Sequence, residues 1–237
     1  MPKSIRLVRH HQGELRVLGI GDTHFPFVNE KKLQEIYKVA KDLKPTHVIQ
    51  VGDLFDMYSF SRFSRSLNLI TPKDEMERAR KMTVQMWKDI SRICPGADKY
   101  QLLGNHSLRI WTKIMANAPE YEDLLTEPIQ RLFKFDGVTS MPDSRSELEL
   151  NGIVFNHGWK SSIGDHARWY GQNTVCGHLH RGGVAFFPMK GKAMWELNCG
   201  FIADTEQLPL EYGDTKTNSW VAGVGVIDKY GPRFINL

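Results

Sequence analysis

Apolar residues recur along this chain in two rhythms, and the change between them divides the sequence. In the first half, unbroken apolar runs end in glycine-polar turns and alternate with stretches whose apolar residues return every three to four positions. LRVLGIGDTH (15–24) reads as a buried strand entering a Gly-Asp turn, and HVIQVGDLFD (47–56) as a second strand ending the same way. Between them, NEKKLQEIYKVAKDLKP (29–45) puts Leu33, Ile36, Tyr37, Ala40 and Leu43 on one helical face, with Asn29 as N-cap and Pro45 past the end. PKDEMERARKMTVQMWKDISRICPG (72–96) predicts a long helix, acidic at its start and stopped at Pro95-Gly96, with Met82, Met86 and Trp87 as core. KYQLLGNH (99–106) is a third strand and turn, and 108–132 reads as helical.

The second half changes period. SELELNGIVFNHG, NTVCGHLH, GGVAFFPMKGKAMWELNCG and SWVAGVGVIDKYG are short strands separated by Gly and Asn turns. Strand-helix-strand alternation followed by clustered strands predicts an α/β core with a largely parallel sheet and a second sheet packed on it. The expected architecture is a two-sheet β-sandwich flanked by helices, in four layers α/β/β/α. With no linker, repeat or low-complexity stretch, residues 1–237 are expected to form a single domain.

Composition narrows the class. Hydrophobic residues make up 41% and charged residues 24% of 237, which excludes disordered and fibrous chains. The net charge of +4 suits a phosphate-bearing substrate without requiring nucleic acid. Three cysteines (Cys94, Cys176, Cys199) at unrelated spacings argue for a reducing compartment. No run approaches the ~20 apolar residues of a membrane span, and the first residues lack a signal peptide's apolar stretch. The expectation is a cytoplasmic protein with no membrane partner.

The strand ends carry the candidate chemistry. They deliver Asp22 and His24 (GDTH), Asp53 (GD), Asn105 and His106 (GNH), His157 (FNHG), and His178 with His180 (GHLH). Each motif alone has a bland reading: Asp favours turns for its own hydrogen bonding, and a single His after an apolar run is usually a satisfied surface or core residue. Jointly they are specific. Five of the nine histidines lie in these turns, each after a strand-like run, and in open α/β sheets ligand sites gather at such ends. Carboxylate, imidazole and amide without thiolate suit borderline divalent cations.

That ordered set, D-x-H, GD, GNH, H, GHxH over Asp22 to His180, resembles the calcineurin-like metallophosphoesterase superfamily. The resemblance implies a dinuclear centre hydrolysing a phosphate ester with metal-activated hydroxide. Asp22, His24 and His180 would bind the first metal, Asp53 would bridge, and Asn105, His157 and His178 would bind the second. His106 would be catalytic, near the scissile phosphate as general acid or charge stabiliser. Manganese is the first expectation for the metals, with iron, zinc or nickel as alternatives. Many relatives follow GNH with an acid; here Ser107 stands there, and Asp56 is a candidate to orient His106 in its place. The stretch from Asp53 to His106 is also similar to compact metallophosphoesterases of phages and prophages.

Around these turns, DMYSFSRFSRSLNL (56–69) interleaves aromatic residues with arginines, the combination that stacks on bases and grips phosphates. Tyr58, Arg62, Arg65 and, beside His180, Arg181 are candidate substrate contacts. The bland alternative has the aromatics anchoring the loop and the arginines facing water. Phe25, Phe27, Trp159 and Lys160 are candidates to line the cleft, Trp169 and Tyr170 to pack beneath it. Asp165-His166 reads as a helix start, His10-His11 as surface and His47 as structural. The preferred substrate is a phosphodiester, a nucleotide or nucleic acid. The alternatives are phosphomonoesterase action on a nucleotide, metabolite or phosphoprotein, and a non-catalytic scaffold of the same fold.

Overall fold

A computed structural model describes residues 4–61, 70–206 and 219–237. The chain runs β1 (Arg6–Arg9), β2 (Val17–Ile20), α1 (Glu30–Leu43), β3 (His47–Gln50), α2 (Pro72–Ile93), β4 (Asp98–Gln101), α3 (Arg109–Asn117), α4 (Glu122–Leu132) and β5 (Thr139–Ser140). It continues through β6 (Glu147–Leu150), β7 (Ile153–Phe155), α5 (Asp165–Tyr170), β8 (Thr174–Cys176), β9 (Gly183–Met189), β10 (Lys192–Asn198), β11 (Gly223–Asp228) and β12 (Gly231–Asn236).

The helices form where local chemistry closes their ends. Asn29 caps α1 by accepting from the Lys32 N–H, and Thr71 caps α2 by accepting from Asp74 ahead of Pro72. Two of the hairpins turn at Asn151-Gly152 and Lys190-Gly191, where both residues of each pair have positive φ, as tight two-residue turns favour.

Two six-stranded sheets result, ordered β12-β11-β2-β3-β4-β5 and β1-β6-β7-β8-β10-β9. In the first, β2, β3, β4 and β5 run parallel, and β11 and β12 close the edge antiparallel. Alternation along β2 and β3 builds two cores. Val17 and Ile49 face the second sheet with Leu148, Phe155 and Val175, while Leu18, Ile20 and Val48 face the helices with Ile36, Met86 and Trp87. Because both faces are covered, all four residues of β2 and of β3 are buried, as parallel strands between layers must be. Full burial of each such side chain stabilises the fold by about 1.5–3 kcal/mol. Packing α5 on β8 and β10 covers part of the second sheet's outer face.

The architecture is therefore the expected α/β sandwich of two mixed sheets. Three strands lie outside the segments expected from the sequence: β5, β12 and β1, an edge strand pairing in parallel with β6. No helix among the described residues is long and apolar enough to cross a membrane.

Candidate metal centre

The parallel strands β2, β3 and β4 end side by side, so the turns that follow them project toward one region. The turns after β7 and β8 of the facing sheet meet them there. Asp22, His24 and His180 bring one ligand atom each within 4.8 Å of one another, and Asp53, His157 and His178 do the same. His180 Nε2 lies 2.8 Å from Asp22 Oδ2 and 3.3 Å from His24 Nε2. His157 Nε2 lies 3.1 Å from Asp53 Oδ2 and 2.9 Å from Asn105 Oδ1, and that same amide oxygen is 3.0 Å from His178 Nδ1. The two groups touch where His157 Nδ1 stands 3.7 Å from Asp22 Oδ1. All seven candidate ligands thus occupy one locus.

The backbone is bent to achieve this. Eight described non-glycine residues have positive φ, and His24, Asp53, His178 and His180 are four of them. Left-handed backbone costs roughly 1–2 kcal/mol for an L residue, and such strain persists where surrounding structure enforces it, often at functional sites. Two glycines leave the room. A Cβ on Gly104 would stand 2.0 Å from Asp53 Oδ1, and one on Gly177 would stand 2.3 Å from Asp22 Oδ1.

The donor set fits cations. Asp22 is fully buried, yet its Oδ1 accepts no hydrogen bond, a costly state for an anion unless something positive approaches. His157 Nδ1 sits 3.2 Å from the Val51 carbonyl, so its Nδ1–H donates there and Nε2 faces two oxygens, those of Asp53 and Asn105. An imidazole nitrogen among acceptors needs a proton or a metal. Without metal it keeps the proton: burial works against the charge, but Asp53 and Asp22 outweigh it and push His157 up to about 9. Burial raises and the surrounding imidazoles lower Asp53, leaving it well below the usual carboxylate range. His24 and His178 are held below the ordinary histidine value, chiefly by burial.

His106 stands beside the group, anchored differently. Its backbone N–H donates to Asp53 Oδ1 at 2.9 Å. Its Nδ1 lies 2.8 Å from the Asp56 carbonyl and 3.2 Å from Asp56 Oδ1, the carboxylate considered as substitute for the missing acid after GNH. Asp56 also reaches His24 Nδ1 at 3.0 Å, so one carboxylate orients both rings. Burial lowers His106, but Asp53 and Asp56 prevail and the balance is upward.

Several contributors were not read from the sequence. Arg109 Nη2 lies 3.0 Å from His106 Nε2, and Nη1 donates to the Asp56 carbonyl at 2.9 Å. Its signal was the i, i+3 spacing from His106. Phe201 stacks on the His180 ring at 5.2 Å, and Trp220 meets it edge-on at 4.6 Å. No local pattern announces either.

The outer candidates are placed as follows. Arg62 and Arg65 lie outside the described residues. Tyr58 is 5% exposed, and its backbone N–H donates to Oε1 of buried Glu75. Phe25 and Phe27 are core residues, not cleft lining. Arg181 is exposed beside His180, with Nη1 3.5 Å from the Ser161 carbonyl. Trp159 is exposed, and so is Trp169, which does not pack beneath the cleft. His10 is exposed, whereas His47 is buried with Nδ1 2.9 Å from Thr46 Oγ1. His166 opens α5 as read, but is buried against Glu196 and Cys176.

Fold and site together define a two-sheet α/β sandwich with an Asp/His/Asn centre at converging strand ends. No family model matches the chain. It is similar to the gene 54 protein of Mycobacterium phage D29, 25% identical with 90% of this chain and 88% of that protein covered. It is also similar to the gene 54 protein of Mycobacterium phage L5, 22% identical with the same coverage. Among solved structures it is similar to vacuolar protein sorting 29 from Cryptosporidium parvum (15% identical, 94% and 92% covered, TM-score 0.44). It is similar too to YfcE, a phosphoesterase from E. coli (12% identical, 91% and 89% covered, TM-score 0.43).

Proposed function

We propose that the chain is a calcineurin-like metallophosphoesterase that hydrolyses phosphodiesters, nucleotides or nucleic acid. One observation carries the reading: seven oxygen and nitrogen ligands, distant in sequence, meet in two groups joined by carboxylates, while a histidine clamped by Asp56 and Arg109 stands next to them. Two divalent ions held there, Mn²⁺ first and Fe²⁺, Zn²⁺ or Ni²⁺ as alternatives, would supply Lewis acidity and lower the pKa of a bound water.

The protein's own residues do the rest. Asp22, His24 and His180 would hold the first ion and Asn105, His157 and His178 the second, with Asp53 shared. Asp56 fixes the His106 tautomer by accepting at Nδ1, so Nε2 is the atom that exchanges a proton or hydrogen bond with the ester. Arg109, against that nitrogen, adds positive charge where the phosphoryl group gains negative charge in the transition state. The buried, unbridged state of Cys94, Cys176 and Cys199 supports a reducing cytoplasm as the setting.

The test is metal content after purification, then hydrolysis of bis-p-nitrophenyl phosphate against p-nitrophenyl phosphate with Mn²⁺ supplied. Faster diester hydrolysis is expected. Preference for the monoester would move the reading to a phosphomonoesterase, and no turnover of either would sink the enzymatic reading in favour of a scaffold.

A further inference from the structure

The chain has six tryptophans. Trp87 and Trp111 are core residues at 2% and 3% exposure, whereas Trp159 and Trp169 are 50% and 68% exposed. Both exposed rings fall in the short segment that follows His157, and Trp159 is only two residues beyond that ligand. Exposing two such rings forgoes apolar burial that a purely structural segment would take.

Their surroundings are cationic and held in place. Lys160 Nζ lies 4.8 Å from the centroid of the Trp169 ring. Arg168 lies 4.4 Å over Phe187, and Arg181 reaches back to the Ser161 carbonyl at 3.5 Å. The acid on the same helix, Asp165, is already paired with Arg168 at 3.2 Å. Trp159 is pinned from behind: its backbone N–H donates to His166 Nε2 at 2.9 Å, and its ring meets His166 and Tyr170 edge-on at 4.9 and 5.8 Å. Half of Trp159 and about two-thirds of Trp169 stay open beside these contacts.

We infer that Trp159, Lys160 and Trp169, with Arg181, form a platform for single-stranded nucleic acid flanking the phosphodiester at the metal centre. The inference rests on the phosphodiesterase reading of that centre. Bases stack on exposed indoles regardless of sequence, and cations beside the rings take the adjoining phosphates. A protein-docking face would be expected to join aliphatic residues to the rings; here Lys160 lies against Trp169 and Arg168 against Phe187.

The test uses Mn²⁺-loaded protein and a fluorescein-labelled phosphorothioate oligothymidylate of about 15 nucleotides, followed by anisotropy. Trp159→Ala and Trp169→Ala are each expected to weaken binding roughly tenfold, within the range for losing one base stack. Trp169→Phe should recover most of the loss, and affinity should fall steeply with salt. Trp169 is mostly exposed, so its variants keep the fold, which a thermal melt checks. Unchanged affinity in the double variant overturns the platform, as does equal binding of a duplex of the same length. A wild-type dimer that Trp169→Ala dissolves, without oligonucleotide binding, also overturns it and marks a self-association surface. Wild-type turnover of bis-p-nitrophenyl phosphate separates the two readings. Turnover with tryptophan-independent binding removes the platform alone, whereas tryptophan-dependent binding without turnover retains the platform and removes the enzyme.

Discussion

Two buried clusters of metal-ligating residue types lie almost back to back. In one, Asp22, Asp53 and five histidines converge at the strand ends. In the other, His166, Glu196 and Cys176 meet under α5, again with ligand atoms within 4.8 Å. Their lone pairs set them apart. His166 Nε2 accepts from the N–H groups of Trp159 and Lys160 at 2.9 and 3.0 Å, and its Nδ1 faces Glu196 Oε1 at 3.1 Å. Glu196 Oε2 accepts from the Ala167 N–H at 2.9 Å. Every strong acceptor there is already used, and His166 and Glu196 are fully buried. In the strand-end cluster Asp22 Oδ1 accepts nothing, His157 Nε2 faces only oxygens, and four ligands hold left-handed backbone. Proximity of ligand atoms does not make a metal site; uncommitted electron pairs held open at a cost in strain do. The inner cluster is a brace. It fixes the loop after His157, and Gly158 is so close to both His166 and His178 that a Cβ would sit 3.3 Å from each.

The hardest test of this contrast neutralises one carboxylate in each cluster. Asp53→Asn removes the shared charge, and turnover should fall by roughly 10⁴-fold, the scale of several kcal/mol of metal-borne stabilisation. Metal content by mass spectrometry should fall with it, while Glu196→Gln keeps its metal. Wild-type turnover in Asp53→Asn, or loss of metal in Glu196→Gln, would reverse the assignment of the two clusters.

Next in size is His106→Ala. Losing a positioned proton donor costs about 10²–10⁴-fold in rate, but the hydrogen bond from His106 to Asp53 comes from its backbone N–H, which alanine keeps, and its ring Nε2 stands 3.9 Å from Asp53 Oδ2. Metal content should therefore stay at the wild-type level while kcat falls. A parallel loss of metal would make His106 a ligand.

Much of this was legible because the signals are local. Gly-Asp and Gly-Asn-His turns after apolar runs are visible without knowing what they face, and so were the N-caps at Asn29 and the stop at Pro95. The strand read over 15–24 shrinks to Val17–Ile20 because the chain leaves the ladder to place Asp22. β1 went unread because it is an edge strand, half-exposed at best, and its pairing with β6 joins residues 141 apart. Phe201 and Trp220 reach the site through tertiary convergence, which no spacing records, whereas Arg109 carries a local signal in its i, i+3 spacing from His106. Glu75, in a helix start that reads as solvated, is buried and accepts from the Tyr58 backbone N–H, a tertiary contact that no local pattern announces. Trp169 was misjudged because six residues of α5 are too few for a helical period to show which face is covered.

The brace can be broken without touching a candidate ligand. His166→Ala strips the acceptor from two N–H groups and leaves Glu196 buried without its ring partner. The expected cost is about 2–4 kcal/mol, from unsatisfied buried groups at about 1–3 kcal/mol each. For a chain of this size that lowers Tm by roughly 5–15 °C. Metal stoichiometry should hold at low temperature, with weaker affinity where His157 and His178 lose their support. An unchanged melt would show that the cluster carries no structural load.

The smallest effect separates the clusters by pH. In the metal-free chain His157 titrates near 9, above its unfolded value of 6.5. Its protonated pairing with Asp53 therefore stabilises the fold fully below about pH 6.5, and that contribution fades as pH climbs through 9. A cation must displace the same proton, so its apparent affinity should rise by up to about tenfold per pH unit over this window and level off above it. His24 and His178 are held below the ordinary histidine value, chiefly by burial. The brace answers elsewhere. Burial raises Glu196, but its bonds to His166 and to backbone N–H groups outweigh that and hold it below 4.5, so its contribution is present at neutral pH and lost only in acid. Calorimetric Mn²⁺ titrations at pH 6.5, 7.5 and 8.5, beside melts of metal-free protein, should show affinity rising as metal-free stability falls. A flat affinity across that range would mean that no ion displaces the His157 proton.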